Sequence, residues 1–256
     1  MTTTNGHTPA GPLFPPAMIR RRAAGTVAYL GGLHAVLENF AWAWGQMVAY
    51  NADHMADAET YIHTDRARVS DHAIARNSLV ERFLGDWLVM LDTDHEFEPD
   101  IVARLVNSAN AYGLDVLTGV YLFKSEPHYP VLYEWMPSKD GDDVLRQIMG
   151  WENMGPGFLE IGSAGAGCLF VRRSIFDRMR EELADDPKLR GAPFDRVPPY
   201  SEDHSFFLRL RALGVTPFVA THIHSPHLST VRVLDVTSPP TAPGTREDVE
   251  VGGWMK

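Results

Sequence analysis

Asp86 to Asp100 reads D-W-L-V-M-L-D-T-D-H-E-F-E-P-D, and the reading of this stretch decides the fold. Five apolar residues, Trp87 to Leu91, run without a break and stop at a cluster of acids. A short apolar run bounded by polar residues suits a strand buried on both faces of a parallel sheet. In open α/β sheets, ligands bind beyond the carboxyl ends of the strands, which is where Asp92 and Asp94 stand. Two positions apart on extended backbone, the two carboxylates point the same way and repel each other unless a cation or proton lies between them. A divalent cation such as Mg²⁺ or Mn²⁺, held by carboxylates and substrate phosphates, meets that need. Taken alone, D-x-D reads as a helix cap and a solvated loop residue. The hydrophobic strand leading in and a helix starting near Pro99 favour the ligand site instead.

Length and composition set the outer bounds. A chain of 256 residues with 45% hydrophobic content can build one large α/β domain with a full core. A formal net charge of −10 argues against a protein that grips nucleic acid through phosphates. The single cysteine, Cys168, cannot form an internal disulfide or a Cys-rich metal site, which fits a reducing, cytoplasmic setting. No apolar run approaches the ~20 residues that span a bilayer. Residues 1–16 are rich in Thr, Gly and Pro and read as a flexible arm. Residues 237–256 read as a flexible tail, leaving 17–236 as the folded domain.

Working outward from the central strand, Thr26–Leu30 reads as a first strand. Gly31-Gly32 follows, then a helix with Val36, Leu37, Phe40, Trp44, Met47 and Val48 on one face. Glu59–Thr64 is a second strand. A helix carrying Leu79, Val80, Phe83 and Leu84 comes next, with Ala75-Arg76-Asn77 near its start. Arg can neutralise a diphosphate there, and Asn can hydrogen-bond a ribose or base edge. Asp115–Phe123 is another strand, ending in Lys124, which either faces phosphates or is simply solvated. Met136–Gly165 reads as a long loop, a kind of connection that is usually functional. Trp151 within it is either a stacking platform or a staple. Ser163–Arg173 is a strand entered through Gly165 and Gly167, whose lack of side chains lets a ligand approach the backbone. Ser201-Glu202-Asp203 caps a helix with Phe206, Phe207, Leu210 and Leu213 on its face. Phe218–His227 is a strand running into His222, His224 and His227.

Four ordered segments, A-R-N, D-T-D, the G-A-G strand and S-E-D, together resemble GT-A-type glycosyltransferases of family 2 and their phage and bacterial relatives. The resemblance runs from about Thr26 to Leu228. It implies a single GT-A-type, Rossmann-like domain with a mostly parallel central sheet flanked by helices. It also implies a nucleotide-diphosphate sugar donor and Mn²⁺ or Mg²⁺. Leu30, Gly31 and Asp65 would lie beside the nucleotide base, and Arg76, Asn77, Asp92, Thr93 and Lys124 would line the rest of the donor site. Asp94 would hold the metal with a histidine, His227 ahead of His224, while Asp92 contacts ribose or the metal through water. Asp203, paired with Glu202, would be the general base of an inverting transfer. Trp151, Gly165 and Gly167 would border an acceptor that is a protein, glycan, lipid carrier or modified nucleobase. The chain departs from the family in having only Asp65 where many members carry D-D or D-G-S-x-D. Two other readings remain. A nucleotidyltransferase shares the acid-rich sheet end, although residues 31–50 lack its basic loop. A non-catalytic sugar- or nucleotide-binding module would keep the fold without turnover.

Overall fold

The central strand forms as read and is buried throughout its apolar run: in a computed structural model, Trp87 to Leu91 are all at most 5% exposed. The structure describes residues 21–31, 37–57, 59–137, 143–149, 155–228 and 233–234. The expected arm, the expected tail and Trp151 lie outside these residues. In chain order the first elements are β1 (Arg22–Leu30), α1 (Glu38–His54), β2 (Thr60–Ala67), α2 (His72–Arg82), β3 (Trp87–Asp92), α3 (Ile101–Tyr112) and β4 (Val116–Val120). Four short strands follow: β5 (Leu132–Pro137), β6 (Asp143–Gln147), β7 (Phe158–Glu160) and β8 (Ser163–Ala164). The chain then makes β9 (Cys168–Arg172), α4 (Arg173–Glu182), α5 (Glu202–Ala212), β10 (Phe218–His224), β11 (His227–Leu228) and β12 (Val233–Leu234).

Seven strands form one sheet in the order β2-β1-β3-β9-β4-β10-β7. Five of them run the same way, while β9 and β7 run against their neighbours. Side chains alternate across β3, as the period of a strand requires. Leu88 and Met90 enter a core with Ala75, Leu79, Phe176, Phe206 and Phe207, which lies under α2, α4 and α5. Trp87, Val89 and Leu91 enter a second core with Phe40, Met47, Ile101 and Leu105, under α1 and α3. Each such side chain contributes roughly 1.5–3 kcal/mol by leaving water, so β3 is the strand both layers share.

Local chemistry explains the helix ends. Asp71 Oδ1 accepts from the Ile74 N–H to start α2, and Ser201 Oγ accepts from the His204 N–H to start α5. Gly113, with φ +65°, closes α3 in the left-handed conformation.

The sequence reading fails at Met136–Gly165. In place of a long loop, its described residues contain β6, β7 and β8, and β5, β6 and β8 make a separate three-stranded sheet. Strands of two to five residues among turn-forming Gly, Pro and Asp carry too little periodicity to show. The expected single strand Ser163–Arg173 is also divided. β8 pairs with β5, and the chain then turns through Gly165-Ala166-Gly167 into β9 of the large sheet.

Candidate active site

The parallel strands β1, β2 and β3 end level with one another, since Leu30 pairs with Ala67 on one side and Asp92 on the other. The backbone of β3 makes its last ladder contact there, where the Asp92 N–H donates to the Gly167 carbonyl at 2.9 Å. Thr93 and Asp94 lie in a turn, and Thr93 Oγ1 donates back to the Leu30 carbonyl at 3.4 Å. Asp92 and Asp94 are therefore not on one extended run, and they face different partners.

Asp94 meets two imidazoles. Its Oδ1 lies 3.9 Å from His95 Nε2 and 3.8 Å from His227 Nε2, and one ligand atom from each residue fits within 4.8 Å of the others. An antiparallel bridge between His95 and His227, with the Leu228 N–H donating to the Asp94 carbonyl, locks the two segments together. His227 Nδ1 donates to the Leu122 carbonyl at 2.5 Å, which leaves a lone pair on Nε2. His95 Nδ1 is bound to Ser225 Oγ at 2.8 Å, and its Nε2 is buried with no hydrogen-bond partner. Burial pushes the His95 imidazolium down to about 3, and burial also lowers His227, so both rings are neutral near pH 7. Neutral rings oriented through their other nitrogen are what a metal requires of histidine. Burial alone would raise the Asp94 carboxyl. The hydrogen bond from Lys124 Nζ, at 2.5 Å, together with the electrostatic influence of His95, His227 and Lys124, outweighs it and holds Asp94 below its ordinary range.

Asp92 belongs to a second cluster. Arg76, 1% exposed on α2, places NH2 3.4 Å from Asp92 Oδ1 and Nε 3.1 Å from Asp203 Oδ1. Its NH1 donates to the Ala166 carbonyl at 3.3 Å. The Arg76 Nε–H is not aimed at Asp203 Oδ1, so that buried oxygen receives no hydrogen bond although the charges attract. Burial raises the Asp203 carboxyl to about 6, with Arg76 opposing the rise and Glu202 and Asp92 adding to it. Burial would lower Arg76, but Asp203 and Asp92 outweigh it and keep the guanidinium charged. Asp203 retains 21% exposure of its side chain, enough for a substrate to reach it. Glu202 points elsewhere, 3.5 Å from His72 Nδ1 and 3.8 Å from Arg196 NH2; the His72 contact lowers its carboxyl.

The two glycines of the turn are fixed by close approach. A Cβ on Gly165 would stand 2.0 Å from the Tyr121 hydroxyl. One on Gly167 would stand 2.9 Å from Asp92 Oδ2 and from His95 Nε2. These glycines thus bring the two clusters side by side, and the buried Tyr121 hydroxyl accepts from the Gly167 N–H at 3.2 Å.

Other sequence-predicted residues lie further from these clusters. Asp65 is held by Arg82 Nε at 2.6 Å. Asn77 uses both ends of its amide, donating to Asp195 Oδ1 and accepting from the Phe194 N–H, each at 2.8 Å. Leu30 and Gly31 end β1 beside Ala67, whose carbonyl accepts from the Gly31 N–H. His224 Nε2 is bound to the Thr221 carbonyl and stands outside the Asp94 cluster. Sequence reasoning missed His95 and Tyr121. The only signal for His95 was its place directly after D-T-D.

Comparison with known proteins agrees with this architecture. Residues 52–180 match the model of "Glycosyl transferase family 2", half of the chain. Among solved structures, the chain is similar to GalNAc-T7, crystallised with UDP, GalNAc and Mn²⁺. The TM-score is 0.51 at 12% identity, covering 82% of this chain and 44% of that one. It also aligns with A197 from STIV, with a TM-score of 0.49 at 18% identity over 82% of this chain and 89% of that one. The chain thus spans less than half the length of GalNAc-T7. No curated protein matches the sequence. The sheet and flanking helices are those of a GT-A-type domain, and the chain belongs to glycosyl transferase family 2 and is a glycosyltransferase.

Proposed function

We propose that the chain moves a sugar from a nucleotide-diphosphate sugar to an acceptor hydroxyl, with Mn²⁺ at Asp94, His95 and His227 and with inversion at the anomeric carbon. The observation that carries this reading is the buried, unpartnered Nε2 of His95, facing Asp94 beside the lone pair of His227. Two imidazoles and one carboxylate fit Mn²⁺ better than Mg²⁺, which takes oxygen ligands and keeps its waters. A cation held there supplies the positive charge that a departing nucleoside diphosphate needs.

The chain's own residues account for the rest. Lys124, now on Asp94, is placed to turn its ammonium to the diphosphate as the donor arrives. Asp92 stays oriented by Arg76 and presents its carboxylate to ribose. Leu30, Gly31 and Asp65 border the base. Asp203 accepts the acceptor proton on its outward carboxylate oxygen. The acceptor oxygen then bonds to the anomeric carbon as the bond to phosphate breaks. Asp203 is suited to this role because its raised pKa, near 6, keeps it ionised at neutral pH while making it a stronger base than a free carboxylate. Glu202 fixes the start of α5 through His72 and Arg196 rather than meeting the acceptor. No helix among the described residues is long and apolar enough to cross a membrane. The lone cysteine, Cys168, is buried and has no partner for an internal disulfide, which fits a cytoplasmic setting.

The test is a thermal-shift panel of nucleoside diphosphates and their sugars, with and without Mn²⁺. A ligand at a hundredfold excess over its dissociation constant stabilises the native state by ~2.7 kcal/mol. One nucleotide is expected to stabilise the protein only with Mn²⁺, and Asp94→Ala to abolish that effect. No shift with any nucleotide, metal present, overturns the proposal.

A further inference from the structure

A second concavity lies against α1, on the face of the sheet opposite α2 and α5, which carry Arg76 and Asp203. It holds about 600 Å³, within the ~300–1,000 Å³ of small-molecule sites. Its wall toward the metal cluster is the strap in which the Glu96 N–H donates to the Pro226 carbonyl, one residue from His95 and His227 respectively. The opposite wall is the first half of α1, where Trp42 stands on the rim 71% exposed. A helix that buries Phe40, Ala43 and Met47 on one face has no packing reason to carry an indole on its open side.

The polar lining decides what can enter. Glu96 and Glu98 contribute carboxylates, Gln46 an amide, and His222 and His224 imidazoles. The lining guanidinium, Arg104, is turned to the His222 carbonyl and to Asp100, 4.0 Å away. The two carboxylates disfavour phosphate, and Arg104 is already engaged by a carbonyl and by Asp100, so the groove suits a neutral ligand better than a diphosphate. Carboxylates and amides accept and share hydroxyl protons, while an exposed indole stacks on the apolar face of a sugar ring.

We propose that this groove is a carbohydrate subsite that holds a neutral oligosaccharide stretch of the acceptor, with Trp42 as its stacking platform. The assignment rests on the glycosyl-transfer reading above for its link to turnover, and names a glycan as the acceptor class.

The experiment titrates neutral tri- to hexasaccharides (linear glucans, mannans, galactans and chito-oligosaccharides) into the full chain with Mn²⁺, read by calorimetry. One class is expected to bind, and the same sugar carrying a terminal phosphate to bind more weakly. Trp42→Ala should weaken binding at least tenfold and leave the thermal melt and the Mn²⁺-dependent nucleotide shift unchanged. Gln46→Ala, also exposed, provides a second variant should Trp42→Ala melt early. Absence of oligosaccharide binding to the wild-type chain, or binding that neither variant weakens, overturns the subsite. Donor hydrolysis in the same samples separates the two proposals. Loss of hydrolysis with Trp42-dependent binding intact overturns the donor chemistry alone.

Discussion

His95 and Asp203 are two titratable groups moved in opposite directions by the same cause. Burial lowers His95 from 6.5 to about 3, so between those values the unfolded chain binds a proton that the native one does not. Stability from that group therefore rises with pH through this window and is lost as pH falls. Burial raises Asp203 from 3.8 to about 6, so there the native state holds the extra proton and stability falls as pH rises. Between about pH 4 and 6 the two slopes oppose each other. Urea midpoints across that range should therefore be steeper in Asp203→Asn, which becomes more sensitive to acid than the wild type. In His95→Gln the slope should shift the other way, becoming less positive than in the wild type. Equal slopes in all three proteins would show that the burial of these groups is misassigned. The wild-type transfer rate, for its part, should rise through pH 6 as Asp203 ionises. Asp203 was visible in the sequence because an acidic pair after a serine marks a helix start. His95 was not, because its neighbours Ser225 and His227 come some 130 residues later.

The Gly165-Ala166-Gly167 turn shows how an element is set by what lies across from it. The sequence suggests backbone kept open for a ligand. The structure places Tyr121 against Gly165, and Asp92 and His95 against Gly167. Gly165→Ala should cost roughly 1–3 kcal/mol as an overpacked site, since the Tyr121 ring must retreat from a contact of 2.0 Å. Adding Tyr121→Phe should return part of that loss, because the hydroxyl is the atom struck. Chemical denaturation of the two single variants and the double variant gives the coupling, and strict additivity would rule out the clash. In β5 to β8 the sequence misled for a related reason. Strands this short are selected by pairing partners rather than by their own pattern.

Arg76 acts at the scale of the whole molecule, because it rises from α2 to join the end of β3, the start of α5 and the turn into β9. Arg76→Met leaves Asp92 and Asp203 side by side without their cation. It should destabilise the fold by ~3–5 kcal/mol, the range for breaking a buried pair. Arg76→Lys should cost less, since it keeps the charge but not the fork. A melt of Arg76→Met equal to that of the wild type would remove Arg76 from this role. The sequence had marked the same residue for the donor diphosphate, because an arginine beside a D-x-D strand has the right chemistry and linear sequence carries no measure of burial. What the sequence determined by itself was the α/β class, the central strand from Trp87, the cap at Ser201, and the acids at the sheet end. All of these depend on neighbours a few residues away, through strand and helix periods and local hydrogen bonds. Only the tertiary structure decided that Asp92 and Asp94 serve different clusters, that His95 joins His227, and that a groove opens beneath Trp42. Those depend on which strands lie side by side and which side chains lose water, and both are set by the packing of two cores on one sheet.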